Sequence, residues 1–138
     1  MAYAKVEVVV EVDAETVWAE IGAFDTVSLW HPFVLTATLS AGGTTRTLKL
    51  KNGQEVVERE LVRDNVNHQY KYKYVSGGLP VEYFEGTFTV LGAGGTSRIK
   101  WEASYEPAPK VDPAAAAQVV ERMIQSAKPG LEARFAGR

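Results

Sequence analysis

Arg46 and Arg59 are the residues that packing explains least, because hydrophobic alternation places both on the apolar side of their strands. A planar guanidinium offers paired N–H donors that match a carboxylate or another anion. Tyr70, Tyr72 and Tyr74 occupy every second position, so three phenols share one face of a strand. Each buried phenol needs a hydrogen-bond partner, which is an unusual demand for a purely structural core. Glu55, Glu82 and His68 fall on the same side. Two outcomes stay open for the arginines. Either Glu55, Glu82 or backbone carbonyls neutralise them, or the anionic group of a ligand does. Metal and thiol chemistry are not expected. The chain has no cysteine, and its two histidines, His31 and His68, lack the acidic spacing of a metal site. Gly92-Ala93-Gly94-Gly95 links two strands without a following helix, so it reads as a hairpin loop, not a phosphate cradle. His31, wedged before Pro32, reads as a capping or packing group near the mouth of a cavity. No cofactor and no catalytic residue is assigned.

The elements that must position these groups are mostly strands. Val6, Val8, Val10 and Val12 alternate with Lys5, Glu7 and Glu11, which is a half-buried strand over 3–12. Asp13 caps a short helix over 14–22, and Asp25 caps a second short turn through Leu29. Six further strands are expected at about 33–40, 44–51, 54–63, 68–76, 80–91 and 97–106, separated by Gly- and Asn-rich turns. Asp112 and Pro113 open a long alanine-rich helix that runs to Phe135, with a kink expected at Pro129-Gly130. Its stripe of Val119, Val120, Met123 and Ile124 is expected to pack on the sheet. The predicted fold is α+β: a seven-stranded antiparallel sheet wrapped around a long C-terminal helix, with two short helices between strands 1 and 2. One domain over 1–138 accounts for the whole chain. A curved sheet gripping a helix leaves a cavity between them.

Register follows from the turns. Asn52-Gly53 as a two-residue turn sets Leu48 opposite Val57 and Arg46 opposite Arg59. The next turns set Arg59 opposite Tyr72, Tyr74 opposite Glu82, Tyr72 opposite Phe84, Phe88 opposite Trp101 and Phe84 opposite Tyr105. Glu58 and Glu60 then lie on the wet face against Lys73 and Lys71. The expected ligand-binding set is Trp30, Arg46, Leu48, Val57, Arg59 and Tyr70, continued by Tyr72, Tyr74, Glu82, Phe84, Phe88, Trp101 and Met123.

The pattern Val17-Trp18, Phe24-Asp25, Trp30-His31-Pro32, Arg46-Thr47-Leu48 and Gly53 through Glu58-Arg59 resembles the SRPBCC superfamily. Leu79-Pro80-Val81, Gly86-Thr87, Thr96-Ser97, Trp101 and Gly130-Leu131 continue the resemblance over essentially the whole chain. It is most similar to the polyketide cyclase/dehydrase-like, or START-like, helix-grip proteins. That resemblance implies a hydrophobic ligand cavity between sheet and helix but no particular reaction. Two departures are visible: Tyr83-Phe84 follows Leu-Pro-Val, and the approach to Arg46 is shortened to Ala41-Gly42-Gly43-Thr44-Thr45.

Composition narrows the partners. Fifteen Lys and Arg against 17 Asp and Glu give a charge of -2, which argues against a nucleic-acid binder. No apolar run reaches the ~20 residues of a membrane span, and the charged, alternating N-terminus is not a secretory signal. A cytoplasmic protein is expected, and a homodimer is left open. The leading functional reading is a binding protein for a hydrophobic, aromatic or polyketide- or lipid-like small molecule. A cofactor-independent polyketide cyclase or dehydratase and a protein-interaction module are the alternatives.

Overall fold

Period-2 alternation over most of the chain produces seven strands, and the computed structural model describes them within residues 1–40 and 42–138. In chain order they are β1 (Ala2–Val10), β2 (Val34–Leu39), β3 (Thr45–Leu50), β4 (Glu55–Asp64), β5 (Gln69–Ser76), β6 (Val81–Ala93) and β7 (Thr96–Pro107). They form one antiparallel sheet in the order β1-β7-β6-β5-β4-β3-β2. Ala41, in the expected turn before β3, lies outside the described residues.

Helix α1 (Ala14–Ile21) starts where Asp13 accepts the backbone N–H of Thr16, and it buries Val17 and Ile21 against β6 and β7. A single 3-10 turn at Val27–Leu29 leads into β2. Helix α2 (Pro113–Gln125) is capped by Asp112, whose carboxylate accepts from Ala115 N, and Pro113 occupies its first turn. Helix α3 (Ala127–Phe135) follows at once. Both pack on β1, through Ala116, Val120 and Ile124 of α2 and Ala127, Leu131 and Phe135 of α3.

The long helix is therefore two helices, and the break falls at Ser126, not at Pro129-Gly130. Pro129 sits in the first turn of α3, where its missing N–H costs no helical hydrogen bond. Gly130 serves a different purpose. A Cβ there would collide with the carbonyl oxygen of Trp30, so glycine lets α3 close onto the segment before β2. Val119 is 45% exposed and does not pack on the sheet as expected.

The β3–β4 register also departs from expectation. The turn has three residues, Lys51-Asn52-Gly53: Gly53 N donates to Leu50 O at 3.0 Å, and Leu50 N donates to Gln54 O at 2.9 Å. Gly53 takes φ +89, the left-handed position of a type I turn closed by a bulge. Adding one residue to the turn slides the pairing by one. Arg46 now lies opposite Glu58, Thr47 opposite Val57, and Thr45 opposite Arg59. A one-residue slip exchanges the faces of a strand, so Val56 and Glu58 point inward while Val57 and Arg59 point outward.

The expected wet-face pairs of Glu58 and Glu60 with Lys73 and Lys71 are overturned for the same reason. Glu58 pairs in register with Tyr74 and Glu60 with Tyr72, between two bulges in β4. In β5–β6 the faces are as expected but the partners are two residues along: Tyr70 lies opposite Phe88 and Tyr72 opposite Gly86. A Cβ on Gly86 would strike the Tyr72 ring, so the ring lies directly over the glycine. Phe88 opposite Trp101 and Phe84 opposite Tyr105 match the sequence expectation.

Candidate functional site

The site grows from Arg46 on β3, a strand whose alternate residues Arg46, Leu48 and Leu50 face inward. Arg46 is 2% exposed and Glu58, across from it on β4, is 5% exposed. Arg46 Nη2 lies 2.8 Å from Glu58 Oε1, and Nε donates to that same oxygen at 2.9 Å. Nη1 donates to the backbone carbonyl of Phe24 at 2.8 Å and, at 3.5 Å, reaches the hydroxyl of Tyr70. The guanidinium also lies over the rings of Phe24 at 4.1 Å and Tyr72 at 4.7 Å. All three nitrogens of Arg46 thus have an oxygen partner. Burial works against the charge, but Glu58 and the two phenols reverse that effect and hold Arg46 firmly cationic. Burial pushes the Glu58 carboxyl above its ordinary range, with Arg46 pulling against that push.

Tyr72 accepts a hydrogen bond from the Trp101 indole at 2.9 Å. Burial pushes its phenol well above the ordinary range, so it remains a neutral O–H. His31 is fixed at both nitrogens. Nδ1 accepts from Phe33 N at 3.1 Å, which leaves Nε2–H to donate to the Met123 carbonyl at 2.8 Å. This hydrogen bond ties the last turn of α2 to the segment that leads into β2. Burial lowers the histidine's affinity for a second proton, so the ring is neutral.

These groups border a cavity of about 450 Å³ between the sheet and α2. Its inner end is built from buried residues, among them Leu48, Val56, Glu58, Tyr72 and Trp101. Its mouth is exposed and lies between the β3–β4 turn, Gly78 and the α2 residues Val119 and Arg122.

Of the residues expected to bind ligand, Arg46, Leu48, Tyr72, Trp101 and Met123 border the cavity. Trp30, Tyr70, Phe84 and Phe88 stand behind the wall as core. Phe88 stacks on Trp30 and on Tyr70 at 5.3 Å each, and Trp30 meets Trp101 edge-on at 5.5 Å. Tyr74 is half-buried against that core. Three positions are corrected. Val57 and Arg59 face away because of the register slip, and Glu82 is exposed at a bulge between Val81 and Tyr83. Glu55 is exposed as well, so neither expected carboxylate meets Arg46. His68 leaves the inner face to stack on Trp18 at 5.4 Å.

Sequence reasoning missed Glu58 and the apolar wall of Val34, Leu50, Val56 and Leu79. A signal for Glu58 was present: the three-residue turn sets Arg46 against a carboxylate, whereas the two-residue turn sets it against another arginine. Among the described residues, no group of three or more His, Asp or Glu is placed to hold a metal ion, and no helix is long and apolar enough to cross a membrane.

Comparison with known proteins agrees with this architecture. The profile of the family described as polyketide cyclase / dehydrase and lipid transport matches residues 1–136. The protein XoxI from Bacillus cereus has a similar structure, with a TM-score of 0.92 and 24% identity over 99% of this chain and 97% of that one. A START superfamily protein from Mycobacterium smegmatis gives 0.78 and 15% identity over 96% of each chain. The di-domain ARO/CYC BexL from the BE-7585A biosynthetic pathway gives 0.75 and 15% identity, over 96% of this chain and 47% of that one. No curated protein matches the chain.

Proposed function

The chain belongs to the polyketide cyclase / dehydrase and lipid transport family, within the START-like SRPBCC superfamily, and we propose that it binds a hydrophobic small molecule between its sheet and α2. One observation carries the reading. A cavity of about 450 Å³ with a mostly apolar wall ends in a compact polar group of Arg46, Glu58 and Tyr72. Ligand sites commonly have volumes of roughly 300–1,000 Å³ and combine an apolar wall with a few placed polar groups. A structural core of this size would be filled by side chains, since protein interiors are close-packed. The aromatic layer behind the wall makes the inner face rigid, which lowers the ordering cost of binding.

The test is a fluorescence titration with the neutral apolar probe N-phenyl-1-naphthylamine. Its emission should rise and saturate with the native chain. Leu48→Trp should abolish that rise by filling the cavity from β3, while the far-UV circular dichroism stays native; overpacking of this kind costs about 1–3 kcal/mol. No saturable signal from the native chain, or equal signals from both proteins, refutes the proposal.

A further inference from the structure

We infer that the inner end of the cavity selects a neutral hydroxyl group, an alcohol or phenol, over a carboxylate. The inference rests on the cavity being a ligand site and specifies what that ligand must carry. The Arg46 Nε hydrogen bond and the close Nη2 ion-pair contact to Glu58 both converge on Oε1, and among the described residues no hydrogen bond reaches Oε2. Glu58 is nonetheless buried and borders the cavity. Oε2 therefore keeps its acceptor capacity for a group in the cavity that Glu58 borders.

Tyr72 poses the complementary requirement. Its oxygen accepts from Trp101, and among the described residues no acceptor receives its own O–H. Glu58 and Tyr72 both border the same cavity and both contact the Arg46 guanidinium, Glu58 through its carboxylate and Tyr72 through its ring. A hydroxyl can accept from Tyr72 and donate to Glu58 at once. A ketone can satisfy Tyr72 alone. A carboxylate would be repelled by the Glu58 charge, and the Arg46 charge that could offset this is already engaged in the buried pair with Glu58. Lys51 and Arg122 are cations of the exposed mouth, where solvent screens them, and they do not set the polarity of the buried end.

The experiment compares three ligands on one aromatic frame: 2-naphthol, 2-acetylnaphthalene and 2-naphthoate. Each is titrated into the full chain at neutral pH by calorimetry, with N-phenyl-1-naphthylamine binding measured alongside. The naphthol should bind at least about tenfold tighter than the ketone, the loss expected when a hydrogen bond to a charged group is removed, and the naphthoate weakest of all. Glu58→Gln should shrink the naphthol's lead over the ketone to roughly a factor of three or less, because a neutral amide replaces the charged acceptor. The native ranking decides the matter even if that variant folds poorly. Naphthoate or ketone binding as tightly as naphthol, with the neutral probe still bound, overturns the inference and leaves the ligand site standing. Failure of all four compounds to bind removes the site and the inference together.

Discussion

Breaking the Arg46–Glu58 pair from its two sides should produce unequal damage. Both side chains are buried and lie 2.8 Å apart, so removing either leaves the other's charge uncompensated in a low-dielectric wall. Stranding one member of a buried pair costs about 3–5 kcal/mol, whereas replacing both by apolar residues of similar volume is often close to neutral. Glu58→Met strands a guanidinium that does not shed its proton, so its cost should stay near the top of that range at every accessible pH. Arg46→Met strands a carboxyl that burial already pushes upward and that can accept a proton. In that variant burial, no longer opposed by Arg46, raises the folded-state pKa of Glu58 above its unfolded value, so the penalty is greatest at neutral pH. The penalty then shrinks as pH falls through the folded pKa toward the unfolded one. Urea denaturation at pH 7 and pH 5 reads this directly. With a slope of about 1.5 kcal/mol per molar, each single variant should lose roughly 2–3 M of midpoint at pH 7. Only Arg46→Met should regain part of it at pH 5. The double variant should lose less than either single one. Single losses below about 1 kcal/mol, the scale of a solvent-screened surface pair, or losses that simply add in the double variant, would refute the reasoning.

Two other perturbations test the supports of the site. His31 is neutral in the fold with its pKa pushed below 6.5, so the unfolded chain takes up the proton first as the solution is acidified. The stability it preserves is complete above about pH 6.5 and falls below it, by up to about 1.4 kcal/mol per pH unit. His31→Gln should be flatter than the native chain between pH 7.5 and 5.5 in urea midpoints, and identical slopes would exclude this role. Ile124→Ala removes a fully buried side chain of α2 and should cost about 2–5 kcal/mol by thermal or urea denaturation. A cost near zero would mean that α2 does not clamp the sheet through that face.

The strands and their order were legible because their signals are local. Alternating valines, Asn-Gly and Gly-Gly turns, and the Asp112-Pro113 helix start each act within a few residues. The aromatic pairings Phe88–Trp101 and Phe84–Tyr105 were legible for the same reason, since the β6–β7 hairpin is long and regular. What was not legible depends on counting residues in turns. Asn-Gly suits a two-residue hairpin, but the same Gly53 also suits the closing position of a three-residue turn, and local propensity does not separate the two. The bulges in β4 and at Glu82 carry no sequence mark either, because their cause lies in the neighbouring strands. The helix break is a further case. Pro129 drew the expected kink to itself, although a proline is tolerated in the first turn of a new helix.

That single added turn residue decides the chemistry of the cavity. With Arg46 facing Arg59, the inner wall would carry two adjacent positive charges, and the ligand that relieved them would be an anion. With Arg46 facing Glu58, the positive charge is neutralised inside the protein, with Nε on the Glu58 carboxylate and Nη1 on the Phe24 carbonyl. The unmet hydrogen-bond capacity moves one group along, to a carboxylate oxygen and a phenol proton, and the preferred ligand group changes from carboxylate to hydroxyl. The electrostatic objection to two facing arginines favours the same register as the three-residue turn. Like charges opposed across two strands on an enclosed face therefore argue first for a different register, and only then for a bound counter-ion.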